Sequence, residues 1–160
     1  MPRCYVCRRP RSLCFCSFVP SVDNRTEVVL LQHTRERHHP FNTARIVQRA
    51  LQRCHLIVDH NAGFAARELP LRDGAAALLH TSGDTTLTSD LAGIEDVQQL
   101  VVIDGTWHQA KTVVRDVPAL QGLPCFRLQP ATPGQFRIRR EPTSTSLSTI
   151  EATVAALRVL

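Results

Sequence analysis

Apolar runs bounded by polar, turn-forming stretches recur along this chain. The run EVVLLQH, from Glu27 to His33, is apolar on consecutive positions with polar ends, the pattern of a strand buried on both faces. CHLIVD, AAALLHT (Ala75 to Thr81), QLVVIDG (Gln99 to Gly105) and CFRLQ from Cys125 have the same form. After the polar loop TRERHHPFN, the positions Thr43, Ile46, Val47, Ala50 and Leu51 repeat at helical spacing and predict a helix capped by Asn42. Two further helix starts are marked by capping boxes. Thr106-Trp107-His108-Gln109 and Ser148-Thr149-Ile150-Glu151 each place Gln or Glu three residues after a hydroxyl cap. The second is followed by Ile150, Val154 and Leu157 as a predicted packing face. Strands alternating with helices predict an α/β fold with a mostly parallel sheet. PATPGQFRIRREPTSTSL is rich in Pro, Gly, Ser and Thr and predicts a long loop, a kind of segment that often carries function.

A chain of 160 residues, 43% hydrophobic, is enough for one core. It holds no apolar stretch long enough to span a bilayer. Its start, MPRCYVCRRP, is basic but lacks the apolar segment of a secretory signal, so the expected location is the cytoplasm. The net charge of +5 suits a polyanionic partner. Arg3, Arg8, Arg9 and Arg11 gather at the start, and Arg137, Arg139 and Arg140 form a second group. Aromatic residues are only 5% of the chain, which argues against a broad base-stacking platform.

Four of the six cysteines, Cys4, Cys7, Cys14 and Cys16, lie within the first sixteen residues. Without a secretory signal, that clustering points to a metal before disulfides. The spacing C-x2-C-x6-C-x-C lets two close pairs wrap a tetrahedral zinc ion, and four ligands leave no open position, so the metal would be structural. The plainer alternative is a set of reduced thiols. Residues 1–20 are therefore expected to form a zinc knuckle ahead of a domain over residues 21–160. Cys54 and Cys125 lie in strand candidates and read as core residues.

The segment VVIDGTWHQAK ends an apolar strand in Asp104, turns at Gly105 and opens a helix at Thr106. In open α/β sheets ligands gather at the carboxyl ends of strands. A carboxylate there could take a proton, and a helix start offers free N–H groups to an anion. On this pattern alone, Asp104 could equally only cap the turn, with Trp107 only filling the core.

DGTW, preceded by the cysteine knuckle, resembles the signature of the DTW-domain family. CYVCRRPRSLCFC, QHTRERHHPFNTARI, LLHTSGD and FRIRREPTSTSLSTIEA resemble its other motifs, in the same order across nearly the whole chain. The chain departs from the family at Thr34, where proline is expected, and at His80 and Thr81, where Tyr and Pro are usual. Family members commonly continue beyond the position of Leu160, so a C-terminal packing element is expected to be short or missing here. The resemblance implies a tRNA-uridine aminocarboxypropyltransferase with a SPOUT-like, knotted cofactor site. It implies S-adenosylmethionine as co-substrate and tRNA as partner. It places the cofactor among three loops, at Leu79 and Thr81, at Gly105 and Thr106, and at Ser148 and Thr149. Asp104 is the candidate base for the uridine N3 proton, with Trp107 shaping the pocket and His33 and His108 as weaker bases. Arg137, Arg139 and Arg140 are candidates to grip tRNA phosphates. The alternatives are an S-adenosylmethionine-dependent RNA methyltransferase on the same scaffold, and a zinc module that only binds RNA. The oligomeric state is left open.

Overall fold

The consecutive apolar residues of strand β1 (Glu27–His33) can be buried on both sides only at the centre of a sheet covered by helices. A computed structural model of the protein shows this arrangement and describes residues 2–7, 9–135 and 146–160. The other elements are α1 (Ala44–Ala50), β2 (Cys54–Asp59), α2 (Asn61–Ala66), β3 (Ala76–Leu79), β4 (Thr85–Thr86), β5 (Gln99–Asp104), α3 (Trp107–Asp116), α4 (Pro118–Gln121), β6 (Cys125–Arg127) and α5 (Thr149–Leu157). Six strands form one sheet in the order β2-β1-β5-β3-β6-β4. Every pairing is parallel.

Alternation along the central strands divides the core into two layers. Val28 and Leu30 of β1, with Leu100 and Val102 of β5, face Ala44 and Val47 of α1 and Ala156 of α5. Val29, Leu31 and Val101 face the opposite way, toward Phe64 of α2, Val113 of α3 and Leu120 of α4. Neighbouring strands β1 and β5 therefore send their following helices to opposite faces of the sheet. That divergence opens a crevice at their carboxyl ends, the usual ligand position in such sheets.

The capping boxes at Thr106 and Ser148 both form, reciprocal bonds included. Other expectations change. The cap of α1 is Thr43 rather than Asn42, although the Asn42 side-chain oxygen, Oδ1, still accepts the Ala44 N–H at 3.0 Å. Val154 is 44% exposed, and Thr153 and Ala156 take the buried face of α5 instead. The polar Thr153 is accommodated there because its hydroxyl bonds the Thr149 carbonyl at 2.7 Å. The pattern of apolar runs does not predict α2, α4 or β4, which are only six, four and two residues long. Residues 2–20 hold short 3₁₀ turns and an antiparallel bridge between Arg3 and Pro10. Among the described residues, no helix is long and apolar enough to cross a membrane.

The turn leaving β3 passes very close to β6. A Cβ on Gly83 would lie 2.6 Å from the Phe126 carbonyl carbon and 2.8 Å from the Arg127 nitrogen, both backbone atoms in the sheet. Gly83→Ala should therefore destabilise the fold by about 1–3 kcal/mol. Gly122→Ala should change little, because a Cβ there meets nothing within 4 Å. Thermal unfolding of the two variants checks the difference.

Candidate functional site

The register of the sheet sets Gln32 of β1 directly opposite Asp104 of β5, at the carboxyl ends of both strands. Gln32 is fully buried and Asp104 is 5% exposed. A carboxylate so placed needs hydrogen-bond donors to replace its lost water. Gln32 Nε2 donates to Asp104 Oδ2 at 2.8 Å, and Asn42 Nδ2 donates to the same oxygen at 2.6 Å. Thr149 Oγ1 donates to Oδ1 at 2.6 Å. Gln32 Nε2 also donates to Asn42 Oδ1 at 3.0 Å, so the two amides are locked in orientation. Residues from β1, the β1–α1 loop, β5 and α5 thus meet on one carboxylate. Of its four lone-pair directions, roughly one remains for a ligand.

A cavity of about 480 Å³ opens beside Asp104. Leu79, Thr81, Gly105, Thr106, Ser148 and Thr149 all line it, together with Trp107. The structure therefore brings the three anticipated loops to one place. Trp107 is 45% exposed, so it does not fill the core; its ring borders the cavity at the surface. The Ser148 hydroxyl is committed to its capping box, donating to Glu151 Oε2 at 2.7 Å, and the Thr149 hydroxyl to Asp104. What the starts of α3 and α5 can offer an anion is chiefly backbone N–H and the helix dipole.

His80, also on the cavity wall, is not among the site residues that the sequence suggests. Its Nδ1 accepts the Ser82 N–H at 3.1 Å, so the proton of the neutral ring sits on Nε2, making that atom a donor. Burial, with Lys111 nearby, holds its pKa below the usual histidine range. Glu36 is a buried carboxylate on the same wall. His33 accepts the Arg35 N–H through Nδ1, and His108 lies at the cavity edge.

The Sγ atoms of Cys4, Cys7, Cys14 and Cys16 all lie within 4.8 Å of one another. The Cys4–Cys16 and Cys7–Cys14 sulfur pairs are each 3.8 Å apart. A tetrahedron with zinc–sulfur bonds of about 2.3 Å has edges of roughly 3.8 Å, so the sulfurs fit a tetrathiolate site. Backbone bonds to Cys7 and Val6 lower the Cys4 pKa to about 6, whereas desolvation, then the neighbouring thiols, push Cys16 up to about 12. Crowded thiols of this kind resist ionising together, and a divalent cation removes that conflict. The cluster could hold one metal ion.

The DTW domain profile matches residues 1–160, the whole chain. The chain belongs to the DTW domain family. A Drosophila melanogaster protein named tRNA-uridine aminocarboxypropyltransferase 2 is 30% identical over 166 residues, covering 99% of this chain and 66% of the fly protein. The Mus musculus protein of the same name is 26% identical, over 99% of this chain and 56% of its own length. An Arabidopsis thaliana protein named tRNA-uridine aminocarboxypropyltransferase A is 27% identical over 70% of this chain and 50% of its own. The chain thus spans between half and two thirds of the length of these relatives. No solved structure matches it.

In this DTW domain, Arg137, Arg139 and Arg140 fall outside the described residues. The described residues on either side of 136–145 come together. A Cβ on Gly134 would lie 2.8 Å from the Ser146 carbonyl oxygen, and Ser146 is a wall residue. Sequence reasoning misses Gln32, Glu36, Asn42 and His80 as site residues. The signal for two of them is present, since Gln32-His33 and Asn42-Thr43 lie in a family-like segment. By local pattern they read as a strand end and a helix cap.

Two outcomes are expected. Cys7→Ser should lower bound metal and thermal stability more than Cys54→Ser, because Cys54 stands apart in β2. Metal analysis of the purified variants checks this. His80 binds its proton less readily folded than unfolded, so it should oppose folding increasingly as pH falls through its unfolded pKa of about 6.5. Melting curves between pH 7.5 and 5.5 should show a stability loss that His80→Gln reduces.

Proposed function

We propose that this DTW-domain protein transfers the 3-amino-3-carboxypropyl group of S-adenosylmethionine to N3 of a tRNA uridine, with 5′-methylthioadenosine as co-product. The observation that carries the reading is Asp104, its carboxylate fixed by three donors with one lone pair left, held beside a cavity where two helix starts and the buried Glu36 converge. The site has the right charges for this co-substrate. Helix starts suit its carboxylate, and Glu36 with Asp104 suits its ammonium and sulfonium. When bound, the sulfonium activates the adjacent carbons toward a nucleophile. The bond formed joins uridine N3 to Cγ, the bond broken joins Cγ to sulfur, and the N3 proton is lost.

The chain's own residues would then select the reaction by orientation. The backbone N–H groups at the starts of α3 and α5 hold the carboxylate, turning Cγ rather than the methyl toward the acceptor. The remaining lone pair of Asp104 accepts the N3–H and assists its loss. Trp107, half-exposed at the edge, offers its face to the base. Leu79 and Thr81 close the wall below the adenosyl moiety. Arg137, Arg139 and Arg140 grip tRNA phosphates. The cysteine cluster holds a structural zinc ion, with residues 1–20 as its knuckle and residues 21–160 as the catalytic domain. The knotted SPOUT-like cofactor arrangement and a cytoplasmic setting, which keeps the thiols reduced, belong to the same reading.

Incubation with S-adenosylmethionine and unmodified tRNA should add the mass of an aminocarboxypropyl group to uridine and release 5′-methylthioadenosine. Asp104→Asn should lower turnover on the order of a hundredfold. The fold should survive, because an Asn oxygen can accept from Gln32 and Asn42 while its amide donates to the Thr149 hydroxyl. Release of S-adenosylhomocysteine would instead indicate a methyltransferase. RNA binding with no product of either kind would leave only a binding module.

A further inference from the structure

A second cavity, of about 560 Å³, lies between the cysteine knuckle and the β1–α1 loop. Arg3, Arg9 and Arg11 line it from the knuckle, Arg37 lines it from the loop, and Arg45 from the first turn of α1. Among the described residues on its wall there is no Asp or Glu. The guanidiniums of Arg9, Arg11 and Arg37 alone outweigh the net charge of about −2 that a metal tetrathiolate at the knuckle would carry. Two of the guanidiniums are held in place. Arg9 stacks over the Phe15 ring at 5.0 Å, and Arg45 Nη2 donates to the Arg37 carbonyl at 3.1 Å. A planar donor fixed in this way loses little entropy when it meets a phosphate.

Two observations connect this cleft to the first cavity. Asn42 lines both, and its amide bonds Asp104. The same loop turns Phe41 into the first cavity and Arg37, His38 and His39 into the second. The loop is thus a thin wall between an acidic, partly apolar pocket and a basic groove. Tyr5 borders the groove and is 91% exposed, with its ring held out in solvent.

We infer that this groove is where the tRNA strand beside the target uridine is held, so that the knuckle is an RNA clamp as well as a metal site. The inference rests on the tRNA reading above and adds to it the path of the substrate. Phosphates flanking the target lie along Arg9, Arg11, Arg37 and Arg45. The target base passes the loop into the pocket beside Asp104, and an adjacent unpaired base stacks on Tyr5. Extruding a nucleotide in this way demands interactions with its flanking backbone to offset lost stacking, and the groove supplies them.

The test is tRNA binding by the full chain across a salt series. The paired substitution Arg11→Ala with Arg37→Ala should weaken binding and reduce the slope of log affinity against log salt by roughly 1.5, about 0.7–0.9 for each phosphate no longer neutralised. Tyr5→Ala should weaken binding about tenfold with the slope unchanged, because stacking releases no counterions. The pair Arg53→Ala with Arg115→Ala removes equal charge from arginines engaged with Asp23 and Asp116, and should leave the slope near that of the parent. Metal content and S-adenosylmethionine affinity should hold in every variant. A parental slope in the Arg11/Arg37 variant, or an equal drop in the Arg53/Arg115 variant, would overturn the groove assignment even if the parent modifies tRNA. A parent that binds tRNA through the groove but forms no aminocarboxypropyl product would overturn the proposed activity and leave the groove standing.

Discussion

The site is organised by one buried charge. Asp104 sits almost out of reach of solvent at the end of a central strand, and its carboxylate is tolerable there only because three neutral donors surround it. Hydrogen bonds to a charged group contribute roughly 1.5–3 kcal/mol each, and removing a partner inside a protein exposes the full desolvation cost. The donors come from segments far apart in the chain, Gln32, Asn42 and Thr149, so the carboxylate ties the β1–α1 loop and the start of α5 to the sheet. The parallel register makes this possible. A slip of one residue between β1 and β5 would turn Gln32 away from Asp104 and place a polar amide in an apolar layer. The arrangement has a cost, because Gln32 Oε1 is buried with no partner among the described residues. Polar cores that are not fully satisfied are usually kept where function requires them.

The same tie positions everything else around the pocket. The start of α3 follows Asp104 by a two-residue turn, and the lack of a side chain at Gly105 lets the turn pack closely on Gln109, whose Cβ and Oε1 would lie 3.1 Å from a Cβ there. Fixing Thr149 fixes the start of α5, whose buried face closes one side of the core. Fixing Asn42 fixes the loop that separates the pocket from the basic groove. A single polar junction therefore sets the distance between the loops around the pocket, the Asp104 carboxylate and the basic groove.

Much of this is legible in the residues. The buried strands announce themselves as unbroken apolar runs, and β1 and β2 have the bounds their runs predict. Both capping boxes are visible because their chemistry is local, three residues from cap to partner. The cysteine cluster is equally local. What escapes is either short or non-local. The turn-length α4 and the two-residue β4 carry too little periodicity to stand out. Asn42 reads as a cap because its neighbours in sequence suggest a helix start, whereas its amide reaches a strand 62 positions away. Glu36 and His80 look like loop polar residues, and only the fold shows them buried against the cavity. The paired walls of the basic groove are likewise split between the chain start and the β1–α1 loop.

In the proposed function, the junction at Asp104 is the element that would make the cavity an S-adenosylmethionine site. Calorimetric titration of S-adenosylmethionine into the parent and into Gln32→Leu tests that most directly, since leucine keeps the volume of the buried side chain but removes one donor and its orphaned carbonyl. Binding by the parent, with at least a tenfold loss in the variant and unchanged metal content, is the expected result. Equal affinity in both proteins, or no binding by either, would contradict it.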